Sequence, residues 1–275
     1  FINRAIISIP RTGSICYNYF GFYNNYDNSL QKAYQLKKQT PTLYKFLPLS
    51  MHKMVNRWRD FSPSTVALML KTSLALLSIL VVMQLTVMVT HDAIIQQWDE
   101  RILQWIETLR TPFLNIMMVD ISALGGLALT VVLGTLAISL FLLVRDPAAA
   151  IHLLLAAIGG YCISLWTKGL IARARPEIIP QLIKASGFSY PSGHSITSAV
   201  VYVTMAILAC RHFKSFNSRI VIFSLAGIMV TLVSFSRLYL GVHYPSDTLS
   251  GAFIGIAWAF LLGALFSKTH FAPKK

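Results

Sequence analysis

The sequence predicts an all-α integral membrane protein, a six-transmembrane-helix bundle with an interfacial amphipathic helix between spans one and two. Two bulk properties and one pattern predict it. Of the 275 residues, 55% are hydrophobic and only 12% are charged, against about 25% charged in a typical soluble domain. The mean hydropathy is +0.60. From residue 66 the chain becomes a series of uncharged apolar runs, and about 20 such residues cross the hydrocarbon core as a helix.

Residues 1–60 stand apart. They hold nine Lys/Arg against two Asp/Glu and, up to residue 50, are rich in Asn, Tyr, Lys and Ser without sustained periodicity. No apolar run there is long enough for a signal peptide or a span. Two readings stay open: a disordered basic segment, or sequence upstream of a natural start at Met51 or Met54. Residues 61–267 hold the six apolar runs, and 268–275 read as a basic cytoplasmic tail.

The six runs are Thr72–Thr90, Ile121–Val144, Pro147–Thr167, Ser195–Cys210, Ile220–Ser236 and Thr248–Ser267. The fourth and fifth are short, and at roughly 1.5 Å per residue they cover only about 25 Å. Their missing turns are expected from charged flanks that stay in a polar cavity. Between the first two runs, Trp98, Ile102, Trp105 and Ile106 recur at helical spacing. That pattern fits a helix lying in the membrane surface, and equally a loop helix packed on the bundle.

The net charge of +14 would suggest nucleic acid in a soluble protein, but no nucleic-acid-binding fold is this apolar. Here the charge fits loops that meet anionic headgroups. Six spans put both termini on one side, with Arg145, Arg211, Lys214, Arg219 and the tail, so that side is expected to be cytoplasmic. The opposite side then carries two loops, Lys168–Lys184 and Arg237–Asp247, that are basic against the rule. Binding an anion would explain them. The three cysteines, Cys16, Cys162 and Cys210, read as small hydrophobes. His52, His91, His152, His212 and His270 are scattered without ligand partners at metal spacing, so neither a metal nor a cofactor is expected.

Three clusters map to that outer face. In the first, Lys168 and Arg175 are seven residues apart, one helix face and two turns, with Pro176 expected to stop the helix at Arg175. In the second, Tyr190-Pro-Ser192-Gly193-His194-Ser195 opens the fourth run. A helix N-terminus there offers backbone donors to a phosphate, and Gly193 permits close approach. In the third, Ser236-Arg237 leads to His243 and Asp247, four apart and close enough for an imidazole–carboxylate contact. Three cations around one point repel each other unless an anion such as phosphate sits among them.

The ordered set Lys-x6-Arg-Pro, Pro-Ser-Gly-His and Ser-Arg-x5-His-x3-Asp resembles the type-2 phosphatidic acid phosphatase family. That family includes bacterial undecaprenyl-diphosphate phosphatases and phosphatidylglycerophosphatases, and shares its site with vanadium haloperoxidases. The resemblance covers roughly residues 60–267. It implies a metal-independent lipid phosphatase in which His243 is the nucleophile and forms a phosphohistidine. His194 matches the general acid, and Lys168, Arg175 and Arg237, with Ser192 and Gly193, match the phosphate-binding set. Asp247, accepting the second N–H of His243, would fix its tautomer. Arg173 lies off the motif and is left out. The implied partners are a lipid phosphate or diphosphate and the surrounding membrane lipids. Undecaprenyl diphosphate is the favoured substrate, cleaved to undecaprenyl phosphate from the outer face of a plasma (inner) membrane. Phosphatidylglycerophosphate and phosphatidic acid are rivals that no residue separates, and transfer of the phosphate to another acceptor stays open.

Overall fold

The computed structural model describes residues 63–213 and 215–267; the expected basic segment at 1–60 and the tail at 268–275 lie outside the described residues. Among the described residues eight helices run α1 Pro63–His91, α2 Ala93–Glu107, α3 Pro112–Ala123, α4 Leu127–Leu143, α5 Pro147–Ile171, α6 Gly193–Ala209, α7 Phe216–Tyr239 and α8 Pro245–Leu265. There is no strand among the described residues. Helix starts follow local chemistry. Asp92 accepts from the Ile94 N–H at 2.8 Å and Asp146 from the Ala149 N–H at 2.9 Å, and Pro112, Pro147 and Pro245 occupy first turns where no N–H is needed.

Among the described residues four helices are long and apolar enough to cross a membrane: α1 from Thr65, α5, α7 and α8. Outward side chains on α1, such as Leu76 and Leu80 at 62% exposed, suit a lipid environment. Two expectations change. The second run, Ile121–Val144, is not one helix: α3 and α4 meet at a 47° bend across Leu124–Gly126, and they make a fifth crossing only if counted together. The break sits where Gly125 abuts Val233 of α7 and the backbone of His194, so no side chain fits there. The fourth run stays short, with α6 at 17 residues. By contrast α7 draws Arg219 and Arg237 into its 24 residues, as its flanks suggested.

The loop helix α2 forms, and of the four residues at helical spacing Ile106 alone turns inward. Asp99, Leu103 and Ile106 are buried, while Trp98 and Trp105 are 56% and 60% exposed. Ile106 joins Met118, Tyr239, Leu240 and Val242 in one apolar cluster, which ties α2 and α3 to the end of α7.

The centre of the bundle is α8 against α1 and α6. A Cβ on Gly251 would lie 2.5 Å from the Ser192 carbonyl oxygen, and one on Gly255 would lie 2.6 Å from Ile196 O. Small residues four apart let two membrane helices close to backbone contact. That contact brings the start of α6 beside the start of α8, and both phosphate-type motifs begin there.

Candidate active site

The first cluster does not form as a continuous helix. α5 ends at Ile171, because Ala172 takes the left-handed conformation (φ 50°) and closes its N–H on Lys168 O at 3.1 Å. Residues 172–176 lie outside any helix, and Arg173 and Arg175 are half-buried where Ala172 and Ala174 are exposed. Lys168, on the last turn of α5, donates to Phe188 O at 2.7 Å. Arg175 donates to Val242 O at 2.7 Å, Ser186 O at 2.8 Å and Gly187 O at 3.0 Å. Its Nη1 also stands 3.4 Å from Nε2 of His243.

The third cluster is shaped by a turn. α7 ends at Tyr239, and Gly241 follows with φ +74°. A Cβ there would also meet Arg110 Nη2 and Pro180 O at 2.9 Å, so this turn requires glycine. Beyond it His243 is 2% exposed. Its Nδ1 faces Asp247 Oδ2 at 3.6 Å and Ser189 Oγ at 3.4 Å. The same Oδ2 accepts the Tyr244 N–H at 2.8 Å and the Ser189 hydroxyl. Asp247 therefore caps α8 and faces the imidazole with one oxygen. An acceptor beside Nδ1 favours the tautomer with its proton there, which leaves the Nε2 lone pair on the Arg175 side.

The second cluster meets the other two. The Ser192 N–H donates to Asp247 O at 3.0 Å, and a Cβ on Gly193 would lie 3.8 Å from Lys168 Cε. His194 is half-buried on the first turn of α6, beside the α3–α4 break, where a Cβ on Gly126 would lie 3.7 Å from its Nε2. It lies within electrostatic reach of Arg237, His243, Lys168 and Arg175. Arg237, 4% exposed on the last turn of α7, donates from Nη1 to Ser122 Oγ at 2.6 Å. Its Nε and the Ser192 hydroxyl are buried without a protein partner. Such groups are rare in native structures and call for a reason. Among the described residues no three His, Cys, Asp or Glu side chains come together in a metal-holding group. All eight residues expected at the site thus belong to one neighbourhood.

Comparison with known proteins decides the family. A model described as the PAP2 superfamily matches residues 149–270. Phosphatidylglycerophosphatase B of Bacillus subtilis is 34% identical over 178 residues, 62% of this chain and 85% of that protein. The chain belongs to the PAP2 superfamily. An undecaprenyl-diphosphatase of Sulfolobus acidocaldarius is 31% identical over 86 residues, covering 31% of this chain and 37% of its own length. The crystal structure of a transmembrane PAP2-type phosphatidylglycerolphosphate phosphatase from Bacillus subtilis is 29% identical. It aligns with TM-score 0.67 over 72% of this chain and 98% of that one. The chain is a multi-pass membrane lipid phosphatase.

Within this PAP2 site, the most connected side chain is one the motifs did not single out. Arg173 donates from Nη1 to Asp247 Oδ1 at 2.7 Å and Ser246 Oγ at 2.8 Å. From Nη2 it donates to Gln96 Oε1 at 2.5 Å and Asp99 Oδ2 at 2.9 Å. Its guanidinium lies 4.0 Å from the centre of the Tyr244 ring. Burial opposes the charge on Arg173, but Asp247 and Asp99 more than offset it and hold the group protonated. The sequence signal was a third basic residue between Lys168 and Pro176. Its acidic partner on α2 was invisible at a distance of 74 positions.

The electrostatics suit a neutral imidazole. Burial lowers the His243 pKa to about 4, against the pull of Asp247 and with a further push from Arg237 and Arg175. A ring that is neutral at pH 7 keeps its lone pair for attack.

Proposed function

We propose that this PAP2 phosphatase hydrolyses its lipid substrate through a phosphohistidine on His243. The observation that carries the reading is the convergence of two histidines with Lys168, Arg175 and Arg237 around buried donors that lack protein partners. In the first step His243 Nε2 forms a bond to phosphorus as the bond to the lipid oxygen breaks, and His194, protonated once the phosphate anion sits among the cations, gives its proton to that oxygen. In the second step His194 takes a proton from water, the water oxygen attacks phosphorus, and inorganic phosphate leaves His243. Lys168, Arg175, Arg237, Ser192 and the Gly193 N–H hold the equatorial oxygens as charge builds. With three side-chain cations available, the scheme uses no divalent ion.

A phosphatidylglycerophosphate-type monoester is the favoured substrate. Support comes from the phosphatidylglycerophosphatase B relative, of which this chain covers 85%. Undecaprenyl diphosphate, favoured by the sequence, is the second reading and rests on the shorter match to an undecaprenyl-diphosphatase. An apolar cavity of about 210 Å³ between α1, α5 and α8, lined by Met83, Ile163, Ile254 and Trp258 among others, suits the hydrocarbon tail of either. Ile254 is seven residues along α8 from Asp247, about 10 Å at 1.5 Å per residue. The helix α2, with Trp98 and Trp105 outward, would sit among headgroups. α6 and the bent α3–α4 pair would bring the crossings to six, with both termini cytoplasmic and the site on the outer face.

The test is phosphate release by the full chain in detergent from phosphatidylglycerophosphate, undecaprenyl diphosphate and phosphatidic acid, with and without EDTA. The expected result is turnover that survives EDTA and vanishes in His243→Ala. Unchanged turnover in that variant would sink the mechanism, and loss of turnover in EDTA would sink its metal independence.

A further inference from the structure

Asp99 lies on α2, outside every motif, yet it is 1% exposed and has three donors. The Ser246 N–H and hydroxyl reach it at 3.0 and 2.5 Å, and Arg173 at 2.9 Å. We propose that Asp99 is a positioning residue for the nucleophile, acting through Arg173 and Ser246 to fix the carboxylate of Asp247 that aims His243. The inference rests on the function proposed above and adds residues to its site.

The argument is geometric. Oδ2 of Asp247 is shared among the Tyr244 N–H, Ser189 and the imidazole. Held by that oxygen alone, the carboxylate could still swing about its Cβ–Cγ bond. Arg173 holds the other oxygen at 2.7 Å. A guanidinium is a rigid fork, and the second arm of this fork is held by Asp99 and Gln96. Asp99 therefore reaches Asp247 by two routes: through the fork to its Oδ1, and through the backbone of Ser246, the residue before it. Removing the charge on Asp99 frees one arm of Arg173 and leaves two Ser246 donors poorly matched in a buried setting, where unpaired groups are costly. The orientation of Asp247, and so the tautomer and aim of His243, would then relax.

A buried ionic network could instead serve only to dock α2. The two roles separate in a double-mutant cycle on the full chain in detergent, with phosphatidylglycerophosphate as substrate. The expected result is a kcat in Asp99→Asn about 10- to 100-fold lower, with KM within about threefold. In an Asp247→Asn background the same change should cost less than about twofold, because the path it acts through is already cut. A kcat within twofold of wild type, or an equal loss in both backgrounds, overturns the proposal. Should Asp99→Asn fail to fold, Arg173→Lys, which keeps the cation and loses the fork, is read by the same cycle. Orthovanadate affinity, measured by titration calorimetry, keeps this inference separate from the choice of substrate. Vanadate can add to a presented imidazole as a phosphoryl mimic, so its binding needs no lipid. If wild type released phosphate from no lipid, the functional reading would fail, and the vanadate ratio would still decide here. Affinity about tenfold weaker in Asp99→Asn supports positioning; equal affinity overturns it.

Discussion

Replacing Asp247 with Asn removes a charge and keeps the shape. Oδ2 lies 3.6 Å from Nδ1 of His243, and both side chains are almost wholly buried. Forming a phosphohistidine places positive charge on the ring. At an effective dielectric of about 20, a unit-charge pair at that distance is worth about 4 to 5 kcal/mol. Since each ~1.4 kcal/mol is tenfold in rate, kcat should fall by about a thousandfold. KM should move far less, because the lost interaction grows mainly in the transition state. Asn also loses part of the cap on the Tyr244 N–H, worth about 1 kcal/mol of stability. The assay is single-turnover phosphate release on protein shown to be monodisperse. A variant that stays folded and keeps kcat within tenfold of wild type would mean that Asp247 only caps α8, and the electrostatic argument would be wrong.

Other outcomes follow from the same geometry. Ser192→Ala removes a buried hydroxyl with no protein partner, so stability should hold or rise slightly while phosphate turnover drops about tenfold; a lower Tm with unchanged turnover would contradict this. The folded pKa of His243, about 4, lies below the ordinary 6.5 or so of the unfolded chain. The unfolded state therefore binds more protons between those values, and stability should fall as pH drops from about 6.5 to 4. His243→Gln should flatten that slope in a Tm-versus-pH series, and an unaltered slope would refute the assignment. Gly251→Val pushes a side chain against the Ser192 carbonyl, 2.5 Å from a Cβ there. Overpacking of about 1–3 kcal/mol should lower Tm by several degrees and reduce activity together, whereas a silent variant would show that α6 and α8 need not touch.

Sequence alone established the class of protein and singled out the groups proposed for its chemistry. Low charge and successive apolar runs dictated a helical membrane protein, because the bilayer leaves the backbone few other ways to satisfy its hydrogen bonds. The motifs named His194, His243, Asp247, Lys168, Arg175 and Arg237, since each sits at a run end where a charge is costly without a task. Tertiary structure decided what periodicity could not carry. The left-handed Ala172 ends α5 before Arg173, so Lys168 and Arg175 do not share one helix face. Gly125, pressed against α6 and α7, lies in the break of the second run. Most of all, Asp99 and Arg173 find each other only when α2 folds back with Asp99 inward. A sequence records each charge and its neighbours along the chain, but which buried charges neutralise one another is a property of the packed bundle.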